Sequence, residues 1–291
     1  MPRPLFIAAG QDGVRLASAD GVTWADRQAG REGETYRAAA AGNGLLVAVG
    51  SYGGDNILAA TADGRAWRTG KHEAKYVQYL RGLAFGNGSF LGLGGDPGSV
   101  GSSKPFVMLS KDGVAWDGPH DIPGRHILRR AAWGAGRFVA VGDRGRRAAS
   151  PDGRTWTDAA EARALDTLVD VAFGAGVFVG VGLHGLRMTS ADGVTWSEPV
   201  RGEEGEHLNS VVFAADRFVA IGATATYTSA DGRRWERHAA ENGPQAAAFG
   251  HGVFVGASWR GRLMRSEDGV RWRETHKSDQ HLGAVAFGMV N

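Results

Sequence analysis

SADGVTW, at 190–196, is one of seven copies of a single phrase: Ser or Thr, any residue, Asp-Gly, two more residues, Trp. The others are SADGVTW (18–24), TADGRAW (61–67), SKDGVAW (110–116), SPDGRTW (150–156), SADGRRW (229–235) and SEDGVRW (266–272). Successive Trp residues stand 43, 49, 40, 40, 39 and 37 positions apart. A period near 40 filled with β-rich sequence is the signature of a propeller blade. Each phrase reads as a tight turn. The Ser or Thr hydroxyl and the Asp carboxylate accept hydrogen bonds from turn N–H groups, the Gly takes a backbone geometry that a β-carbon obstructs, and the Trp buries its ring between blades. Equal copies around a ring argue for a folding role of the seven Asp residues rather than a catalytic one.

A second motif precedes each turn: LAFGNGSFLGLG (83–94), AAWGAGRFVAVG (131–142), VAFGAGVFVGVG (171–182) and VVFAADRFVAIG (211–222), with AAAAGNGLLVAVG (38–50) and AAFGHGVFVGAS (247–258) as weaker copies. Two β-branched or aromatic runs around a Gly-rich or polar turn predict a hairpin. A third run leads into the Asp-Gly turn and a fourth, around the Trp, leaves it. One blade is therefore four antiparallel strands, A to D, with A innermost. LGAVAFG (282–288) is a strand A without a following strand B, and LFIAAG (5–10) a strand B without a strand A. Pairing the two closes the ring and removes open sheet edges. The reading is all-β: a single propeller domain over 1–291 with seven four-stranded antiparallel blades. Blade 1 is a composite of 1–27 and 281–291. The others span about 35–69, 78–118, 127–158, 167–198, 207–237 and 244–274.

Composition narrows the function classes. A formal net charge of +2, with no run of five or more like charges, gives no indication of nucleic acid. The absence of cysteine excludes disulfides and thiolate metal sites. No apolar stretch approaches the ~20 residues of a membrane span, so no membrane insertion is expected. The N-terminal MPRPLFIAAG turns polar too soon for a secretory signal. The chain reads as cytoplasmic if it begins here, and as secreted or periplasmic if a leader precedes it. A monomer is expected, and no cofactor is implied.

The repeated phrase resembles the Asp-box, the S-x-D-x-G-x-x-W repeat of BNR or sialidase-like propellers, shortened here by one residue between Asp and Gly. The resemblance spans nearly the whole chain and implies the seven-bladed fold. Similar repeats occur in sialidases, xyloglucanases, sorting receptors and a photosystem assembly factor, so it implies no single activity. Where sialidases carry Arg-Ile-Pro, this chain reads PLFIAAG, and no Tyr–Glu nucleophile pair stands out. The resemblance carries over a fold and no catalytic residue.

Candidate site residues come from departures from the repeat. The D–A and B–C loops share the face on which propellers usually bind ligands, and the longest are GDPGSVGSSKP (95–105) and DGPHDIPGRHI (117–127). Eight of nine histidines fall on that face, without a recognisable metal-ligand spacing. Stepping four residues back from the recurrent Phe position of strand A, held by Ala41, Phe85 and Trp133 in blades 2, 3 and 4, gives Arg37, Arg81 and Arg129. The remaining blades give Val169, Asn209, Gln245 and Gly283. Two positions earlier lie Tyr79, His207 and His281. This constellation suits a clamp for carboxylate, sulfate or phosphate; alternatively, the arginines pair with Asp170 or loop acids and solvate a pore. Trp133 replaces the recurrent Phe and reads as core. Trp259, in the loop SWRG, either stacks on a sugar or anchors a partner, or packs over its own blade.

These features favour a non-enzymatic binding propeller for a glycan, a small anion or a protein. The alternative is a glycoside hydrolase or lyase of sialidase-like architecture. It would need two carboxylates about 5–5.5 Å apart for retention or about 6.5–9.5 Å for inversion, with Asp96, Asp121 and Asp143 as contributors. A scaffold role in a larger assembly is a third reading.

Overall fold

In the computed structural model, which describes residues 2–72, 79–95, 104–160 and 163–291, the chain is a seven-bladed β-propeller. The loop at 95–105, singled out above, lies largely outside the described residues. Blade 1 takes Leu282–Val290 as strand A, followed by Arg3–Gly10, Arg15–Ser18 and Ala25–Gln28. Strand A of blades 2 to 7 is Thr35–Gly42, Leu80–Gly86, Leu128–Gly134, Leu168–Gly174, Leu208–Ala214 and Ala246–Gly250. Strands B to D follow in chain order toward the outside. In blade 5 the fourth strand is reduced to a bridge between Arg187 and Val200. The ring closes as the hydrophobic pattern requires: all eight residues of Arg3–Gly10 pair antiparallel with the C-terminal strand, from Arg3 opposite Val290 to Gly10 opposite Leu282.

Two turn types hold each blade together. Most A–B hairpins turn on two residues of positive φ, such as Asn87 with Gly88 or Ala175 with Gly176. That is the type I′ geometry whose twist matches the strands. The Asp-Gly turns are built by side chains. In 190–196, the Ser190 hydroxyl accepts from the N–H of Gly193 at 2.7 Å, and Asp192 Oδ1 accepts from the N–H groups of Val194 and Thr195 at 2.9 and 2.7 Å. Gly193 has φ +76°, and a β-carbon there would come within 2.2 Å of Val139 in the preceding blade. Glycine thus serves the turn and the seam between blades together.

The core is distributed along these seams. Val139 and Val141 of blade 4, for example, pack with Leu168, Phe178 and Leu186 of blade 5 and with Trp196. The indole N–H of each repeat Trp in blades 2 to 7 donates to the carbonyl of the turn glycine, as Trp196 does to Gly193 at 3.0 Å. In blade 1, Thr275 takes the Gly21 carbonyl instead, at 2.9 Å, and Trp24 Nε1 is buried without a partner. The expectation of deeply buried rings needs a correction. Only Trp116, at 7% exposure, is fully buried, and the other six repeat rings keep one edge in solvent because strand D is outermost.

The turn carboxylates make stability depend on acid pH. Asp63, Asp112, Asp192 and Asp231 are held below the usual carboxylate range first by backbone N–H groups. Burial pushes Asp268 up, but the N–H groups of Arg271 and Val270, with Ser266, more than offset this and hold it at about 2. A carboxyl whose folded value lies below its unfolded one stabilises the fold above about pH 4, and that contribution is lost as pH falls toward the folded value. The melting temperature is expected to drop between about pH 4 and 2. Asp268→Asn should melt lower at neutral pH and show a shallower acid slope. An unchanged slope in that variant would contradict the assignment.

Candidate functional site: the arginine end of the channel

Arg37, Arg81 and Arg129 reach the channel because of a repeated irregularity in strand A. The A–B ladder slips by one residue near the start of strand A in six blades, leaving Arg37, Arg81, Arg129, Val169, Asn209 and Gly283 as the extra residue. A β-bulge leaves that residue without a cross-strand partner and re-aims its side chain. In blade 7 the equivalent Gln245 stands just before strand A, its N–H bonded to the Ala257 carbonyl at 2.8 Å. All seven positions line one cavity of about 380 Å³ at the end of the channel where the D–A and B–C loops emerge. Gln11, Thr35, Tyr36, Arg130 and His281 also line it. At the opposite end, Phe85, Trp133, Phe173, Phe213, Phe249 and Phe287 stand half-buried as an aromatic collar. Several lie against a glycine of the preceding blade, as Phe173 does against Gly134. Trp133 joins this collar, its ring edge-on to Phe138 at 4.6 Å.

The three arginines are not equivalent. Arg129 is neutralised by Asp143, which it grips through Nε and, at 2.8 Å, through Nη2. Arg37 Nε donates to the Ser51 hydroxyl at 3.5 Å, and no carboxylate pairs with it among the described residues. Arg81 has a buried Nε without a hydrogen-bond partner and lies 5.9 Å from the Tyr79 ring centre. Burial first, then the charges of Arg129 and Arg37, draw the Arg81 guanidinium below its ordinary value, and the Asp143 carboxylate only partly opposes them. An anion placed between Arg37 and Arg81 would offset both effects.

Sequence reading missed Arg130. It follows Arg129 at the bulge and also lines the cavity, donating through Nη1 to the carbonyl of Arg81 at 2.6 Å. Burial raises the Asp170 pKa and the Arg130 charge partly counters this, and among the described residues no ion pair joins Asp170 to Arg37, Arg81 or Arg129. Asp170 also accepts from the Val211 N–H at 2.9 Å.

The other candidates divide. His281 lines the cavity and stacks under Trp259, with ring centres 5.2 Å apart and planes at 25°. Trp259 itself is 66% exposed at the rim. Tyr79 meets the site through its ring contact with Arg81, and His207 lies edge-on to His184 at 5.1 Å, away from the cavity. Among the described residues no cluster of three or more His, Asp or Glu side chains is arranged to hold a metal. Of the carboxylates considered for glycoside chemistry, Asp143 is engaged by Arg129, Asp121 lies in an outer strand, and Asp96 lies outside the described residues.

A Tyr–Glu pair, not apparent in the sequence, does exist. Glu206 accepts from the Tyr227 hydroxyl and from Arg237 Nε at 2.8 Å, and both Glu206 and Tyr227 are 4% exposed. Arg187 lies over the Tyr227 ring at 3.8 Å. This network braces the passage from blade 5 to blade 6, away from the cavity.

No protein-family model matches the chain, and no curated protein matches it in sequence. Solved structures share its fold. YCF48 bound to D1 peptide aligns at 19% identity over 83% of this chain and 81% of that chain, with a TM-score of 0.59. Virginiamycin B lyase from Staphylococcus aureus aligns at 8% identity over 82% and 83%, with a TM-score of 0.63. A chain of a nidogen/laminin complex aligns at 12% identity over 84% and 98%, with a TM-score of 0.55. At these identities the likeness establishes the propeller fold alone.

Proposed function

We propose that this chain is a non-enzymatic binding propeller of Asp-box type that holds an anionic group, on a small molecule or a protein or glycan partner, at the Arg37–Arg81 end of its channel. The side-chain-built Asp-Gly turns support the Asp-box kinship. The observation that carries the binding reading is Arg81: a partly buried cation with an orphaned Nε, no carboxylate partner among the described residues, and two further guanidinium groups nearby. Such a group is costly unless something pairs with it. The propeller bound to D1 peptide shows that a neighbour of this fold takes a peptide, which supports a protein-derived ligand as one source of the anion.

The test is calorimetric titration with acetate, sulfate and phosphate. A hydrogen bond to a charged group contributes about 1.5–3 kcal/mol, so Arg81→Gln is expected to weaken anion binding by about 10- to 100-fold. The unliganded variant should melt at or slightly above the wild-type temperature, because like-charge repulsion is relieved. Absence of anion binding to the wild type, or equal binding by Arg81→Gln, would exclude this site.

A further inference from the structure

We propose that the anion site has an adjoining slot, over Gly283, that selects acids carrying a flat aromatic ring. This rests on the anion reading and adds the class of ligand. Around the ring of bulge positions the order is Gln245, Gly283, Arg37, Arg81, Arg129, so the position without a side chain is next to the first guanidinium. A β-carbon built on Gly283 would meet one atom within 4 Å, His281 Nε2 at 3.8 Å. The wall is therefore open there, and its floor is one edge of an imidazole.

The histidine suits a neutral aromatic neighbour. Its Nδ1 is buried without a partner, and burial lowers its pKa. A proton on Nε2 instead stands beside the open slot, where a ligand or water can accept it. Trp259 stacks on the same imidazole and leads outward to the rim, largely exposed. Trp259, His281, Gly283, Arg37 and Arg81 thus form one path from solvent to cation. A carboxylate on the arginines places an attached ring over Gly283, against the Nε2 edge of His281, with Trp259 at the rim end of the slot. Aromatic contact, edge-to-face or offset-stacked, adds affinity beyond area burial.

The experiment compares 1-naphthoate with acetate by calorimetry in the wild type and in Gly283→Val, Trp259→Ala and Arg81→Gln. Valine is the natural residue at the same ring position in blade 5, Val169, so Gly283→Val should fold. The aryl acid is expected to bind at least about tenfold tighter than acetate to the wild type. Gly283→Val and Trp259→Ala should each shrink that margin while leaving acetate affinity unchanged, and Arg81→Gln should weaken both acids. Acetate binding with no aryl margin overturns the slot and leaves the anion site standing. A margin that survives both Gly283→Val and Trp259→Ala also overturns the slot. Failure of both acids to bind the wild type overturns the slot together with the anion reading.

Discussion

A chain ending at Lys277 is expected to lose its cooperative melting transition. The deletion removes the innermost strand of blade 1, which pairs with all eight residues of Arg3–Gly10. It also removes Leu282, Val285 and Val290, each at most 8% exposed, and the collar residue Phe287. At about 1.5–3 kcal/mol for each large apolar side chain, that burial amounts to roughly 6–12 kcal/mol, comparable with the entire net stability of a typical domain, about 5–15 kcal/mol. The exposed edge of Arg3–Gly10, whose side chains are almost all buried in the intact ring, becomes a template for association. Circular dichroism and light scattering should show a broad transition with aggregation. A sharp transition near the wild-type temperature would mean that ring closure contributes little.

Glu206→Ala is the point substitution expected to weaken the fold most among the polar residues. Glu206 is the shared acceptor for Tyr227 and Arg237, and it also accepts from the N–H of Glu203 at 3.1 Å. Removing one partner of a buried ionic network leaves the others desolvated and costs about 3–5 kcal/mol. Arg237 is 39% exposed, which favours the lower end. Tyr227→Phe, which leaves the Glu206–Arg237 pair intact, should lose about 1 kcal/mol. Urea denaturation distinguishes the two. A loss below about 1 kcal/mol for Glu206→Ala would show that water replaces the network.

The fold was legible because its decisive residues lie within seven positions of one another. The Ser, Asp, Gly and Trp of each turn bond locally, so the phrase carries its own geometry. The alignment of Arg37, Arg81 and Arg129 with Val169, Asn209, Gln245 and Gly283 was also legible, since each stands four residues before the same strand A position, an aromatic in every blade but the second, where it is Ala41. What stayed hidden depends on loops that return from a distance. Arg129 meets Asp143 because Arg144, at φ +52°, turns the B–C loop back over strand A. Trp259 reaches His281 through a similar loop, with Arg260 at φ +61°. Tyr79 and His207 shared a sequence offset with His281, yet only His281 lines the cavity. Periodicity specifies the strand and not the path of the chain leading into it.

The bulge has a further consequence for how such a molecule diversifies. Its extra residue has no ladder partner, so a change there leaves strand pairing and seams between blades in place. This ring already holds arginine, valine, asparagine, glutamine and glycine at geometrically matched positions. The scaffold therefore separates what it must keep in order to fold from what it is free to vary in order to discriminate. On the anion reading, ligand preference can drift one blade at a time, with each intermediate still a closed propeller.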